Sequence, residues 1–329
     1  MIENACVLGA TGGIGKAVVD ALISRNIPTK ILVRDKEKYI SLYPDGELPG
    51  RVSVIQGELD SNQSLAMALE HCDTIFPCYN TKYQNWSKDM TRWTSNVADL
   101  SAALQAKIVF PGNVYNFGHA SDSELRINEE HPQNAHTELG QLRIAFEQRF
   151  ARAALEGASL TILRLPDVYG PAVFTRSIVS VFESALKNKP CSWYGNPHIL
   201  HDFISTIDAG EAMVRAALEP RAADTVLHVP GPSPITAHEW ISLVYRLAGS
   251  NIQKTYKITP KWFLKIIGLF DKQVSKFADT LYLFEESHIM DGSKYEQIVG
   301  PSPVRQYEET IKETLDWFKF WFKTGLTAN

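Results

Sequence analysis

The sequence predicts an α/β protein with a doubly wound parallel Rossmann sheet and a smaller carboxy-terminal substrate lobe. Three observations carry this prediction. A glycine-rich turn at 9–15 separates a short apolar run from an apolar helical pattern. Further apolar runs, typical of strands buried on both faces, alternate with helical patterns as far as residue 165. The sequence contains no internal repeat and no low-complexity segment that would favour another architecture.

The glycine turn is the most informative of these features. Residues 5–15 read ACVLGATGGIG, so that Gly9, Gly12 and Gly15 recur at every third position. Gly9 permits a sharp turn, Gly12 a close approach to a pyrophosphate, and Gly15 the packing of a helix against the strand. The helical pattern that follows, at 17–23, places a helix amino terminus with free N–H groups behind the turn. This arrangement predicts a dinucleotide site in preference to a turn without a ligand.

The end of the second predicted strand bears on the choice of cofactor. The run KILV at 30–33 leads directly into Arg34, and an arginine here suits the 2′-phosphate of NADP, with Lys38 nearby. Asp35 lies 20 residues after Gly15 and offers the alternative, an acid that accepts hydrogen bonds from the ribose 2′-OH of NAD. We favour NADP and leave NAD open.

The alternation of strands and helices continues along the amino-terminal half. Strands are predicted at 51–56, 74–78, 107–110 and 160–165, with one helix that carries Leu65, Ala68 and Leu69 and another near 85–105. Asp60 or Ser61 is expected to cap the first of these helices. Cys78, Tyr79 and Asn80 end a strand where the crevice of a doubly wound sheet would pass the cofactor ribose.

Composition and length limit the class of protein. At 329 residues and 44% hydrophobic content, the chain is ordinary for an enzyme of about two domains. The net charge of -4 without a basic run argues against nucleic-acid binding. Four cysteines without metal-ligand spacing indicate buried thiols in a reducing compartment and no metal site. No apolar run reaches the ~20 residues of a membrane span and no signal peptide is recognised, so a cytoplasmic protein is expected.

Five motifs, taken in order, resemble the NAD(P)-dependent epimerase/dehydratase family, the extended short-chain dehydrogenases/reductases. They are GATGGIG at 9–15, GELDSNQSL at 57–65, IVFPGNVYNFG at 108–118, LRLPDVYGP at 163–171 and HDFISTIDAGEA at 201–212. The resemblance runs from Ala5 to about Gly249. It implies an NAD(P)-binding Rossmann domain at 1–165, with the sheet completed by 200–230, and a lobe at 166–329 that mainly binds substrate.

The residues that transfer protons in this family are replaced here. Members of the family use a Tyr-x-x-x-Lys pair and a serine or threonine, whereas this chain has Leu139, Arg143 and Asn113 at those positions. Leucine cannot transfer a proton, but Arg143 can still hold ribose hydroxyls or phosphate, and Asn113 can donate a hydrogen bond to a carbonyl oxygen. Tyr115 and Tyr79, at the ends of two strands, are the alternative proton donors, although Tyr115 could instead pack beneath the site.

The resemblance extends the site beyond the glycine turn, because in this family the loop after the sixth strand passes the nicotinamide. The predicted cofactor-binding residues are Gly9, Thr11, Gly12, Gly13, Ile14, Gly15, Arg34, Lys38, Leu59, Asp60, Cys78, Tyr79, Asn80, Arg143, Pro166 and Val168. His201 stands where many members carry a phosphate-binding arginine, which makes a nucleotide-sugar substrate less expected. Asp208 is predicted to cap a helix at 209–218.

The sequence therefore predicts an NAD(P)-binding oxidoreductase that acts on a small carbonyl or alcohol without the usual tyrosine. The alternative is a redox sensor or regulatory protein that holds NADP(H) without turnover, and a third hypothesis is an isomerase that uses bound cofactor transiently. The aromatic final helix, at 311–322, is expected to pack on the core or in a homodimer rather than on a membrane surface.

Overall fold

The glycine turn joins the first strand to the first helix in a computed structural model that describes residues 2–120 and 126–325. The strands are β1 Ala5–Leu8, β2 Thr29–Val33, β3 Val52–Gln56, β4 Thr74–Pro77, β5 Lys107–Asn113, β6 Ser159–Leu165, β7 Asp167–Tyr169, β8 Cys191–Trp193, β9 Leu200–His201, β10 Phe203–Ser205, β11 Thr225–His228, β12 Ile235–Thr236 and β13 Tyr256–Ile258. The helices are α1 Gly13–Ile23, α2 Lys36–Ile40, α3 Asn62–Leu69, α4 Thr91–Ala103, α5 Glu138–Leu155, α6 Arg176–Leu186, α7 Thr206–Leu218, α8 Ala237–Leu247, α9 Lys261–Gly268, α10 Lys272–Asp279, α11 Ser293–Ile298 and α12 Tyr307–Lys323.

Seven of the strands in the described ranges form one parallel sheet, in the order β3-β2-β1-β4-β5-β6-β11. The chain starts at the centre, winds outward to β3, and then returns to build the other half from β4. This order reverses between β1 and β4, so the carboxyl ends of those strands open a crevice at the switch point. The predicted α/β class with a doubly wound Rossmann sheet is confirmed.

Both faces of the sheet are buried, which explains the unbroken apolar runs. Successive residues of β1 point to opposite faces, so Cys6 and Leu8 join one core and Val7 joins the other. The core on the side of Cys6 is closed by α3, α4 and α5, and the core on the side of Val7 by α1, α6, α7, α8 and α12. The aromatic residues of α12 lie in the second core, where Trp317, Phe318 and Trp321 are buried.

The segment after β4 differs from its prediction. The single helix expected at 85–105 is preceded by a 3-10 turn at Tyr83–Asn85 and begins as a π-helix at Trp86–Met90, which runs into α4. A π-helical turn places its side chains at a different angular spacing from an α-helix and often lies at a functional site. Here the 3-10 turn supplies Tyr83 and the π-helix supplies Trp86, and both side chains contact Tyr115 after β5.

Two helix starts also resolve or correct predictions. Ser61 caps α3 by accepting the backbone N–H of Ser64 at 3.1 Å, so of the two candidates Asp60 is not the cap. The predicted cap at Asp208 is wrong, because α7 begins three residues earlier behind Ser205. Asp208 instead lies in the first turn of α7, where its carboxylate accepts the backbone N–H and the Nε–H of Arg305. This pairing ties the segment before α12 to the Rossmann body.

The remaining strands form two-stranded sheets, in which β7 pairs with β10, β8 with β13, and β9 with β12. All four cysteines are free thiols, and three of them are buried. Across residues 2–120 and 126–325, no helix combines the length and apolar character needed to cross a bilayer.

Candidate functional site

The glycines of the turn have different physical roles. Gly9 has a φ of +87°, and a Cβ there would lie 2.5 Å from the Cα of Tyr79. A Cβ on Gly15 would lie 2.2 Å from the carbonyl oxygen of Gly9. These two positions therefore need glycine for the fold itself. A Cβ on Gly12, in contrast, would meet only the Gly9 carbonyl oxygen, at 3.6 Å, so the fold leaves space at this position.

The amino terminus of α1 lies directly behind this space. Gly12 is its N-cap and supplies no side chain to the amides of the first turn, and that turn carries no acidic residue. The partial positive charge of the helix end is therefore not neutralised locally. Gly13 is packed against residues from the second half of the chain, since a Cβ there would lie 2.6 Å from Val173 and 3.0 Å from Thr206. The turn thus also joins the two halves of the chain.

At the end of β2, the structure separates the two residues that bear on cofactor choice. Arg34 is exposed, and its carbonyl oxygen accepts a hydrogen bond from Gln56 at 3.3 Å. Asp35 is the N-cap of α2, where one carboxylate oxygen accepts the backbone N–H of Lys38 at 3.0 Å. One acceptor of Asp35 is therefore already engaged by the protein, whereas the Arg34 side chain is exposed and has no hydrogen bond or ion pair among those found in the described residues.

Residues after β3 and β4 continue this edge. Asp60 accepts a hydrogen bond from the indole of Trp93 at 2.6 Å and pairs with Arg92 at 2.5 Å, so α4 holds its carboxylate in place. Leu59 beside it is half-buried and packs against the core under α3 and α4. Asn80 is exposed, and its side-chain oxygen accepts hydrogen bonds from the indole of Trp86 at 2.9 Å and from the backbone of Thr81.

Tyr79 does not share the environment of Tyr115. Its backbone faces Gly9, but its phenol is buried and donates to Thr94 of α4 at 3.4 Å. Burial raises the pKa of Tyr79, and it also raises the pKa of the neighbouring Cys78 thiol. The Tyr79 side chain therefore belongs to the core under α4, which leaves Tyr115 as the candidate proton donor of the two.

The carboxyl end of β5 brings together two tyrosines. The phenol oxygens of Tyr83 and Tyr115 lie 2.9 Å apart, within hydrogen-bond distance. The Trp86 ring stacks on the Tyr115 ring, with 6.3 Å between the ring centroids. Asn113 fixes the turn that carries Tyr115, because its side-chain oxygen accepts the Tyr115 backbone N–H at 3.1 Å. Tyr83 was not among the residues predicted from the sequence, since nothing in the segment YQNW indicates that the chain folds back over β5.

The charged groups near Tyr115 shift its pKa in opposite directions. Burial raises the pKa of Tyr115 well above its usual value, and Tyr83 and Asp167 raise it further while Arg143 lowers it. Burial likewise raises the pKa of Tyr83. Burial, with the charge of Asp202, raises the pKa of Asp167 to about 6. Because both pKa values are raised, the phenols of Tyr115 and Tyr83 are protonated at neutral pH.

Arg143 is buried beneath this pair. One guanidinium nitrogen donates to the carbonyl oxygen of Pro111 at 2.6 Å, and the guanidinium lies over the rings of Phe110 and Trp86. Its Nε is buried without a hydrogen-bond partner. Burial lowers the pKa of Arg143, although the carboxylate of Glu147 opposes that shift. Leu139, four residues earlier, is 1% exposed and packs in the core.

The loop after β6 closes the arrangement. Pro166 is buried between β6 and β7, and Val168 is half-buried in β7. His201, at the position where many family members carry arginine, is 4% exposed. Burial, together with the nearby His288, lowers the pKa of His201 to about 4, so the ring is neutral at physiological pH. A neutral, buried imidazole is a poor anchor for phosphate.

Comparisons with known proteins agree with this architecture. Residues 5–229 match the family model described as the NAD dependent epimerase/dehydratase family. A UDP-glucose 4-epimerase from Thermotoga maritima, solved with UDP-glucose, has a TM-score of 0.78 at 16% identity, covering 97% of this chain and 99% of that one. The enzyme WbmH of Bordetella bronchiseptica, solved with NAD+, has a TM-score of 0.76 at 15% identity, covering 96% and 98% of the two chains.

Two plant proteins are similar in sequence. Isoflavone reductase of Pisum sativum is 23% identical over 309 residues, which cover 88% of each chain. Isoflavone reductase of Glycine max is 22% identical over 274 residues, covering 77% of this chain and 78% of that one. These similarities extend over most of both chains, beyond the end of the family match.

Proposed function

We propose that this chain, which belongs to the NAD dependent epimerase/dehydratase family, is an NADP-dependent oxidoreductase for a small carbonyl or alcohol substrate. The observation that carries the proposal is an open position at Gly12, at a helix amino terminus without a side-chain cap, on the same sheet edge as two hydrogen-bonded phenols. A diphosphate suits the first feature, because backbone amides and the helix dipole favour an anion there. A reacting oxygen suits the second, because a phenol can supply a proton.

We assign the residues along this edge to successive parts of a dinucleotide. Gly9, Thr11, Gly12, Gly13, Ile14 and Gly15 would hold the pyrophosphate, Arg34 and Lys38 the 2′-phosphate, Leu59 and Asp60 the adenine side, Cys78, Tyr79 and Asn80 the ribose region, and Arg143, Pro166 and Val168 the nicotinamide side. NADP is favoured over NAD because Arg34 is exposed while Asp35 is engaged as a helix cap. The partnerless Nε of buried Arg143 is a donor that a ribose hydroxyl could satisfy.

The cofactor, when bound, supplies or accepts a hydride, and the chain manages the proton. Tyr115 Oη holds a proton that a reduced substrate oxygen can take, and Tyr83 Oη lies 2.9 Å away to replace it. The side-chain oxygen of Asn113 positions Tyr115 by accepting the Tyr115 backbone N–H. The side-chain nitrogen of Asn113 remains able to donate to a carbonyl oxygen. Leu139 contributes packing alone. The names of the plant relatives, which are reductases, favour reduction over epimerisation.

A protein that binds NADP(H) without turnover is the second candidate. The buried Leu139 at the tyrosine position and the engaged side-chain oxygen of Asn113 favour it, because neither residue can transfer a proton. Turnover separates the two functions. We expect purified protein to oxidise NADPH in the presence of at least one compound from a panel of small aldehydes and ketones. Tight NADPH binding with no consumption across the panel would favour the sensor.

Arg34 tests the choice between the two cofactors. We expect Arg34→Ala to raise the Kd for NADPH about tenfold or more, because a charged hydrogen bond contributes about 1.5–3 kcal/mol, and to leave the Kd for NADH nearly unchanged. Fluorescence titration with each cofactor measures both values. Lys36→Ala, an exposed lysine in the same turn, is the matched control and should change neither. Tighter binding of NADH than NADPH by the wild type would instead support the Asp35 hypothesis.

Gly12 tests the pyrophosphate site separately from the fold. Its backbone is extended, with φ -93° and ψ 162°, so alanine is compatible with the chain there. We expect Gly12→Ala to keep the wild-type Tm but to raise the Kd for NADPH about tenfold, or ~1.4 kcal/mol, because the methyl group fills the ligand's space. Gly15→Ala, the control, should lower the Tm itself, since its Cβ overlaps Gly9. Unchanged NADPH affinity in Gly12→Ala would contradict the site.

We also propose a cytoplasmic location and a homodimer for this protein. Both proposals come from the sequence arguments given above.

A further inference from the structure

An exposed apolar surface covers one side of α9 and the turn that follows it. Its members, which we call the α9 face, are Trp262, Phe263, Ile266, Leu269 and Phe270, with exposed fractions of 63%, 44%, 49%, 79% and 89%. Positions 262 and 266 lie on one side of α9 at helical spacing, and Leu269 and Phe270 follow them in the turn. Contiguous exposed apolar surface of this kind marks an interaction site on a folded protein.

The helix is held from its other side. Leu264 is buried in a small cluster with Tyr194 and Leu281, and α10 packs beside α9. Lys261 pairs with Glu285 at 3.2 Å, and Lys276 pairs with Glu138 of α5. The α9 face is therefore presented outward by a hairpin that the second lobe and the Rossmann body both contact.

The segment that carries the α9 face is rich in lysine. Six lysines and one aspartate lie between residues 254 and 276, in a chain whose net charge is -4. The aspartate, Asp271, uses a carboxylate oxygen to cap α10. Lys254, Lys257, Lys265 and Lys272 are exposed and take no part in the ion pairs found within residues 2–120 and 126–325. These four lysines lie close to the α9 face along the chain, with Lys265 on α9 itself and Lys272 at the start of α10.

We propose that the α9 face docks on the surface of an anionic lipid membrane, with its apolar side chains in the interface and its lysines against the headgroups. Tryptophan, phenylalanine and leucine on a helix and the turn after it, with lysines near them in the chain, suit the boundary between headgroups and acyl chains. Each lysine near an anionic leaflet adds electrostatic attraction to it. A second copy of this chain suits the surface less well, because a two-fold contact would set lysines against the same lysines.

Vesicle sedimentation tests this docking on the full-length chain. Vesicles of phosphatidylcholine alone are compared with vesicles that contain about 30% phosphatidylglycerol, enough to give the surface a negative potential that attracts basic segments. We expect the wild type to sediment with the anionic vesicles, and Leu269→Glu/Phe270→Glu to bind them about tenfold or more weakly, because it loses buried apolar area and gains repulsion. Leu155→Glu is the matched control, since Leu155 is 91% exposed on α5, away from the α9 face.

A second variant tests the charges, since Lys265→Glu/Lys272→Glu should lose anionic binding while keeping the wild-type Tm. Raising the salt concentration to about 1 M should also weaken binding, because it shortens the Debye length to about 3 Å. The proposal is overturned if the wild type does not sediment with anionic vesicles, or if Leu155→Glu weakens binding as much as the α9 variant. A concentration-dependent dimer that the α9 variant abolishes, without vesicle binding, would overturn it in favour of a second copy.

Discussion

Replacing Glu147 with alanine is expected to lower the free energy of unfolding by about 3–5 kcal/mol, because it leaves a buried cation without its partner. Glu147 of α5 accepts two hydrogen bonds from Arg164 of β6, at 2.8 and 3.3 Å. The two side chains are only 6% and 2% exposed. Urea denaturation of the wild type and of Glu147→Ala, followed by fluorescence, measures the difference.

An exposed ion pair on the same helix supplies the control. Arg152 and Glu156 also form a hydrogen-bonded pair, but their side chains are 75% and 44% exposed. Glu156→Ala should therefore cost less than about 1 kcal/mol. The double variant Glu147→Leu/Arg164→Met should recover much of the loss, because it removes both buried charges. Equal losses in Glu147→Ala and Glu156→Ala would show that the buried pair is not the cause.

The position of this pair links stability to the site. Glu147 lies one helical turn after Arg143, and a Cβ on Gly112 would lie 2.9 Å from the Glu147 carboxylate and 2.8 Å from Arg164 Cγ. The pair therefore fixes α5 against β6 beside Gly112, next to Asn113. Arg143 of α5 donates to the carbonyl oxygen of Pro111 on β5, the strand that also carries Gly112. A shift of α5 would therefore also move the Arg143 cation beneath Tyr115.

The sequence was sufficient for the fold because its strongest signals are local. An apolar run buried on both faces indicates a strand, and the glycine turn with the apolar pattern behind it indicates a strand followed by a helix. Parallel strands that are joined by helices can then adopt only a few topologies. The helix start near residue 61 was ambiguous because Asp60 and Ser61 both favour an N-cap. The choice is made by α4, whose Trp93 and Arg92 engage the Asp60 carboxylate.

The failures share one physical cause, which is contact between residues distant in sequence. Aspartate is a residue type that favours N-caps, but the partner of Asp208 is Arg305, which lies 97 residues away. Tyr83 lies in the 3-10 turn before the π-helix at 86–90 and meets Tyr115 of the turn after β5, and no periodicity in the sequence indicates this contact. The replacements at 113, 139 and 143 were visible from the sequence, but the proton donor that we propose in their place depends on this tertiary contact.

That contact leads to the expectation that Tyr115→Phe lowers kcat for carbonyl reduction about 100-fold, within the range of a lost general acid. The Kd for NADPH should stay nearly unchanged, because the ring still packs against Trp86. Tyr83→Phe is the matched variant, since it keeps the donor and removes only its hydrogen-bond partner. We expect it to lower kcat about tenfold, as the loss of one hydrogen bond of ~1.4 kcal/mol would. Single-turnover and steady-state assays with NADPH give both values.

The pH profile then separates proton donation from packing. A donor acts while protonated, so kcat should stay level as pH rises and fall only above the pKa of Tyr115. Burial and the charge of Asp167 raise that pKa above the usual value of 10.0. Asp167→Asn should therefore move the fall to lower pH, because it removes a negative charge that holds the proton on the phenol. Tyr115→Phe should abolish the fall. If Tyr115→Phe keeps both the wild-type rate and the basic limb, the proton comes from water or another residue, and the two phenols serve the fold alone.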